Sequence, residues 1–292
     1  MKSLREALVE AKQSGRALGH FNISDLAGLK AIVAAARELG VPVVIGVSEG
    51  EREFLGVREV AALVRTLREE LQHPIYLNAD HTHSLEKAIE AARAGFDEII
   101  FDASKLPLEE NIRQTKAAVL SIRAVNPEIV IEGEIGYIGS SSEIMESVPE
   151  GAALTEGALT TPEEAVRFVA ETGVDVLAPA VGNMHGLLAS MVRGETHKEL
   201  NIERIKALAA VVNIPMTLHG GSGTSDEGFV AAVKAGMTIV HVNTEIRLAW
   251  RRGLEAALAK DKNEVAPYKI LPGAVLAVQK VVEDRLRLFN GR

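Results

Sequence analysis

Short β-branched runs alternate with helical patterns along the whole chain, eight times over. The runs are ALGHFNI (17–23), VPVVIGVS (41–48), PIYLNAD (74–80), DEIIFDA (97–103), EIVIEGEIG (128–136), VDVLAPAVG (174–182), PMTLHGG (215–221) and TIVHVNTE (238–245). Their continuous apolar character suits strands buried on both faces, as in a parallel sheet. Between them lie helical patterns such as LAGLKAIVAAARELG, LEKAIEAARAGF and NIERIKALAAVV. Helix starts are marked: Thr161-Pro162-Glu163-Glu164 reads as a capping box with proline at the first helical position, and Ser84 and Ser225 read as N-caps. Glycine ends a helix in AARAGFDEI, AETGVDVL and VKAGMTIV. Eight near-even units predict an α/β fold, a single (β/α)8 barrel over residues 1–292, in preference to an open doubly wound sheet. The stretch 267–292 predicts a helical extension that serves as an oligomer contact or a barrel cover.

Composition removes several classes of function. A net charge of −8 with no basic cluster argues against nucleic acid or an anionic membrane as partner. The chain has no cysteine, so disulfides, Fe–S clusters and thiolate zinc sites are excluded, and any metal must use His, Asp or Glu. The first residues, MKSLREALVEAKQSGRALG, read as an amphipathic helix without the apolar core of a signal peptide. No apolar stretch is long enough to span a membrane. The expected place is the cytoplasm.

In a barrel, function gathers at the C-terminal ends of the strands. Read in order, those ends are Ser48, Asp80 with His81, Asp102, Glu134, His185, His219 with Gly220, Gly221 and Ser222, and Asn243 with Thr244. Neutral imidazoles are the usual protein ligands for zinc, and three with an open position make a catalytic site. The GGSG run opens the seventh loop, where barrels often bind phosphate through backbone N–H groups and a helix N-terminus. Metal, carboxylate and phosphate cradle together suggest carbon–carbon bond chemistry on a phosphorylated sugar. No strand ends in lysine; Lys105 lies beyond strand 4 and Lys198 lies in a loop, which disfavours a Schiff base. The long polar segment after strand 5 reads as a mobile active-site loop.

The segments GHFNISDL, VSEG, NADHTHS, EGEIG, AVGNMHG, LHGGSGT and VNTEIR, spread over almost the whole chain, resemble the class II, metal-dependent ketose-bisphosphate aldolases of the fructose- and tagatose-bisphosphate type. The resemblance implies Zn2+ on His81, His185 and His219, with Glu134 as a further ligand or base-side carboxylate and Asp102 where some members hold a second cation. It makes Asp80 the acid–base group at the aldol oxygen and Ser48 a substrate contact. Gly186, Gly220, Gly221, Ser222, Asn243 and Thr244 would cradle dihydroxyacetone phosphate and a monovalent cation, Na+ or K+. The implied reaction is reversible cleavage of fructose 1,6-bisphosphate, or of another phosphorylated ketose, to triose phosphates. The expected assembly is a homodimer or homotetramer.

Several positions depart from the family pattern. His241 stands where asparagine is expected, and His20 where a small residue is expected. The loop after Glu134 reads GSSSE, so Glu143, with Glu146 behind it, becomes the candidate for the carbon-bound proton. His241 lies two residues before Asn243 and so shares its face, pointing into the barrel; its imidazole is expected to meet substrate and to titrate near neutrality. Asp80, next to a ligand, is expected to point the other way along the strand. Two rivals stand beside the aldolase: a metallohydrolase, from the H-x-H of His81-Thr82-His83, and a non-catalytic sugar-phosphate binder.

Overall fold

The computed structural model describes residues 2–139, 142–148 and 155–292. Eight strands form a closed parallel barrel: β1 Leu18–Asn22, β2 Val43–Val47, β3 Ile75–Thr82, β4 Glu98–Phe101, β5 Val130–Ile135, β6 Val176–Pro179, β7 Met216–Leu218 and β8 Met237–His241. Each pairs with its sequence neighbours, and β1 closes on β8 with His20 opposite His241. Every barrel strand corresponds to one of the eight runs. The helix starts also agree: Ser84 and Ser225 cap through their side chains, and Thr161 with Glu164 forms the capping box.

The N-terminal helix Leu4–Ser14 begins at a second capping box, in which Ser3 and Glu6 satisfy each other's backbone N–H groups. Its Leu4, Ala7, Leu8 and Ala11 pack against Leu18, Val44, Tyr76, Val130, Val176 and Ile239. Those six come from six strands, so this helix plugs the N-terminal mouth of the barrel. Burying Leu4 and Leu8 contributes about 1.5–3 kcal/mol each. The closing helix Pro272–Phe289 packs on Leu26–Leu39 and on Thr244–Lys260, burying Val278, Val282, Leu286 and Phe289. It is a cover over the β8–β1 side of the barrel.

Above the apolar plug the interior turns polar. Asn78 of β3 faces Glu98 of β4 in register and donates to its Oε2 at 2.7 Å. Glu132 of β5 accepts from the Thr217 hydroxyl of β7. By its sequence the segment after β5 reads as a mobile loop. Part of it, 140–141 and 149–154, lies outside the described residues; in the rest, Ile144–Met145 pairs with Leu187–Leu188 in a small parallel ribbon. That ribbon ties the loop after β5 to the loop after β6.

Candidate active site

The end of β3 is irregular, and this irregularity builds the site. The register with β4 shifts between Ala79 and Thr82, and His81 takes φ 38°, a conformation uncommon for any residue but glycine. A buried arginine braces it: Arg52 donates to the Val47 carbonyl at 2.6 Å, to the Asp80 carbonyl at 3.2 Å and to the Thr82 hydroxyl at 3.0 Å. Strict alternation is therefore broken. Asp80 does not point away from His81; its Oδ1 lies 3.7 Å from His81 Nε2, and both side chains reach the same space.

His185 and His219 meet His81 there. Nε2 of His81 stands 3.2 Å from His185 Nε2 and 3.1 Å from His219 Nδ1. Ligands at ~2.1 Å in a tetrahedral zinc site are about 3.4 Å apart, so the spacing suits one metal ion. The opposite nitrogen of each ring is held. His81 Nδ1 bonds Asp102 at 2.8 Å, His185 Nδ1 bonds the Gly139 carbonyl at 2.7 Å and His219 Nε2 bonds Glu132 at 2.6 Å. Such partners fix ring orientation and tautomer. Both Asp102 oxygens are engaged, because Oδ1 accepts from the N–H and hydroxyl of Ser104. Glu134 Oε2 is buried without a hydrogen-bond partner, 3.5 Å from His81 Nδ1 and 3.8 Å from His219 Nδ1.

The electrostatics favour a cation at this point. Burial works to lower His81, but the charges of Asp80, Asp102 and Glu134 outweigh it and raise its pKa well above the usual histidine range. Burial and the charge on His81 push His185 and His219 down to about 3. Burial raises Glu134, helped by Asp102. Asp80 runs the other way: burial opposes ionisation, yet His81, His20, His219 and the Asn22 hydrogen bond hold it below the usual carboxylate range. Asn22 donates to Asp80 Oδ2 at 2.8 Å, while Oδ1 has no hydrogen-bond partner.

A cavity of about 300 Å³ opens above these groups. Ser48, Gly186, Gly220, Ser222, Asn243 and Thr244 line it, as expected for a substrate site. Gly221 does not; its N–H donates to the His241 carbonyl at 2.9 Å and is not available to a phosphate. Thr244 is the first residue of helix Thr244–Lys260, whose N-terminus favours an anion. Glu143 and Glu146 are exposed, and Ser142, not Glu143, is on the cavity wall. His241 is on the wall, 3.7 Å from Asp80 Oδ1, with its ring parallel to His20 at 3.4 Å and stacked on His219 at 4.1 Å. The expected titration near neutrality is overturned: burial, with the neighbouring histidines, lowers His241 well below the usual range.

Two further residues belong to this site, Arg247 on the cavity wall and Glu132 behind His219. Arg247 lines the cavity and pairs with Glu51 at 2.5 Å, and Glu51 accepts from Asn22. Arg247 follows Thr244 by three residues on one helix, a spacing that signals a shared face. Glu132 precedes Glu134 by two on one strand, which likewise signals a shared face.

A family profile, Fructose-bisphosphate aldolase class-II, matches residues 2–292. The chain belongs to the class II fructose-bisphosphate aldolase family. Among curated relatives, the fructose-bisphosphate aldolase of Geobacillus stearothermophilus is 34% identical over 291 residues, 99% of this chain and 96% of the relative. The 6-phospho-5-dehydro-2-deoxy-D-gluconate aldolase of Shouchella clausii is 34% identical over 286 residues, 97% of this chain and 92% of the relative. Among solved structures, the YdjI aldolase of Escherichia coli K12 superposes with a TM-score of 0.81 at 26% identity, covering 98% of this chain and 96% of that one. The chain is thus a class II aldolase, a carbon–carbon lyase of a metal-dependent family, on a TIM barrel. Membership sets aside the metallohydrolase and the non-catalytic binder. No helix among the described residues is long and apolar enough to cross a membrane.

Proposed function

We propose that this aldolase uses zinc and reversibly cleaves fructose 1,6-bisphosphate to dihydroxyacetone phosphate and glyceraldehyde 3-phosphate, in the cytoplasm. The observation that carries the reading is the convergence of His185 Nε2 and His219 Nδ1 on His81 Nε2, each within 3.2 Å of it, beside the free oxygen of Asp80. His81, His185 and His219 would hold the ion, with the orphaned Glu134 oxygen in reach of the same space. A bound zinc ion supplies Lewis-acid polarisation of the ketose oxygens. Asp102 and Glu132 act through the histidines they orient.

Asp80 is ionised and held at one oxygen by Asn22, so its other oxygen is free to take the C4 hydroxyl proton in cleavage and return it in condensation. Ser222, Asn243 and Thr244 receive one phosphate at a helix N-terminus. Ser48 and the Arg247 guanidinium receive the far end of the substrate. Two anchored ends fix the reacting carbons between them. We assign the carbon-bound proton to Glu143, the neighbour of Ser142 on the wall. The assembly we propose is a homodimer or homotetramer, for which Val265, Tyr268 and Leu276 stand exposed.

Two features of the wall favour a second reading, a different ketose such as tagatose 1,6-bisphosphate or the 6-phospho-5-dehydro-2-deoxygluconate named for the Shouchella relative. The wall beside Asp80 is an imidazole, His241, and Arg247 accepts a carboxylate as readily as a phosphate. The test measures dihydroxyacetone phosphate release from all three substrates, with zinc content and mass in solution. Fructose 1,6-bisphosphate is expected to be cleaved, EDTA to abolish cleavage, borohydride to trap no adduct, and His185→Ala to lose the metal. Equal zinc in parent and His185→Ala sinks the metal assignment. Release from the gluconate alone moves the protein to the second reading.

A further inference from the structure

Lys198 is 6% exposed, and its ammonium donates to three backbone carbonyls: Met184 at 2.7 Å, Gly186 at 2.7 Å and Gly220 at 2.9 Å. Met184 and Gly186 flank one histidine of the proposed metal site, and Gly220 follows another. Each of these peptide groups is also held at its N–H end. His185 N–H donates to the Ile138 carbonyl, Leu187 N–H to Glu143 and Gly221 N–H to His241. The ammonium is therefore the hub on which the loops after β5, β6 and β7 and the end of β8 are oriented.

The backbone is built to bring these oxygens together. Gly186 and Gly220 have φ of 77° and 58°, and a Cβ at Gly220 would run into the Met184 carbonyl. The lysine itself is pinned, its N–H on the Gly223 carbonyl at 2.8 Å. Burial pushes its ammonium down to about 7, against the pull of Glu245. The carbonyls oppose that loss, since a neutral amine has two N–H donors and three acceptors are present. A ring of backbone carbonyls is also the way proteins replace the hydration shell of a monovalent ion. The resemblance to class II aldolases implies such an ion among residues that include Gly186 and Gly220, and here the carbonyls of both already accept from a side-chain cation.

We infer that Lys198 is a tethered cation standing in place of a free Na+ or K+, so that the phosphate-binding loops are formed without a monovalent ion. This rests on the aldolase reading for the loops' task, but not for their cation. Lys198 is a positioning residue: it is absent from the cavity wall and acts through the loops that line it.

The experiment compares the zinc-loaded protein and Lys198→Met in tetramethylammonium, Na+, K+ and NH4+ chlorides at constant ionic strength. Two readouts are taken, melting temperature and cleavage rate. The parent is expected to be indifferent to the cation in both. Lys198→Met is expected to melt lower and to lose at least tenfold in rate in tetramethylammonium. K+ or NH4+ should restore both, saturably, with zinc content unchanged. A parent stimulated severalfold by K+ overturns the inference. So does a Lys198→Met protein that melts and turns over alike in all four salts. If Lys198→Met does not fold in any salt, the parent's cation response decides alone. The melting curves keep their meaning if none of the tested ketoses is a substrate, which separates failure of this inference from failure of the proposed function.

Discussion

Asp80 has one oxygen tied to Asn22 and the other unpartnered beside His81 and His241. The three histidine rings are oriented by Asp102, Gly139 and Glu132, none of which depends on Asp80. On the proposed mechanism, removing the Asp80 carboxylate leaves metal binding intact and removes the proposed hydroxyl base. Asp80→Ala is expected to keep its metal by elemental analysis and to lose about 10²–10⁴-fold in turnover, the usual worth of a general acid–base group. Turnover near the parent's would assign the proton to another group. At this scale the sequence was informative where chemistry sits on strand ends. It was misleading at Asp80, because alternation along a strand holds only without the register shift that turns His81 to φ 38°.

Among the elements, the β1–β2–β8 corner joins His20 and His241 into one stacked pair. His20 and His241 are register partners on adjacent parallel strands, so their rings stack face to face. Gly46 of β2 leaves the space that the His20 ring occupies, and a Cβ there would run into it. Gly46→Ala is expected to cost about 1–3 kcal/mol by overpacking. Truncating the ring in His20→Ala/Gly46→Ala should recover part of that loss, read as non-additive melting temperatures in a double-mutant cycle. Additive losses would mean that the two residues do not share the space.

For the whole molecule, the polar layer beneath the site makes stability depend on pH. Burial, with the charge of Glu132, pushes Glu98 well above the usual carboxylate range, and burial pushes Glu132 up to about 8. A carboxyl raised in the fold keeps its proton there while the unfolded chain releases it. Its contribution to stability is full below the unfolded value near 4.5 and declines as pH rises towards the folded one. Each pH unit in that window is worth about 1.4 kcal/mol. Glu98→Gln retains an acceptor for Asn78 and removes the titration. Its melting temperature relative to the parent is expected to rise steadily from pH 5 to pH 8, and a difference flat with pH would show that Glu98 ionises freely in the fold.

The eight strands, the helix caps at Ser84, Thr161 and Ser225, the closing helix and the three histidines were legible in the residues, although His185 stands in the loop after β6 and not at the strand end. Strand and helix periodicity are local properties, and barrel closure follows from their even repetition. The same periodicity places Glu132 beside Glu134 and Arg247 beside Thr244, although only a known neighbour gives those spacings meaning. Lys198 had no local signal. It lies in irregular chain, and its three carbonyls come from residues 12 to 22 positions away. The stacking of His20 on His241 likewise exists only once β8 closes on β1. Charge state was decided last and by tertiary structure alone. The histidine expected to titrate near neutrality is held neutral, and two core glutamates are pushed towards their acids, because burial depends on the whole closed barrel rather than on any stretch of chain.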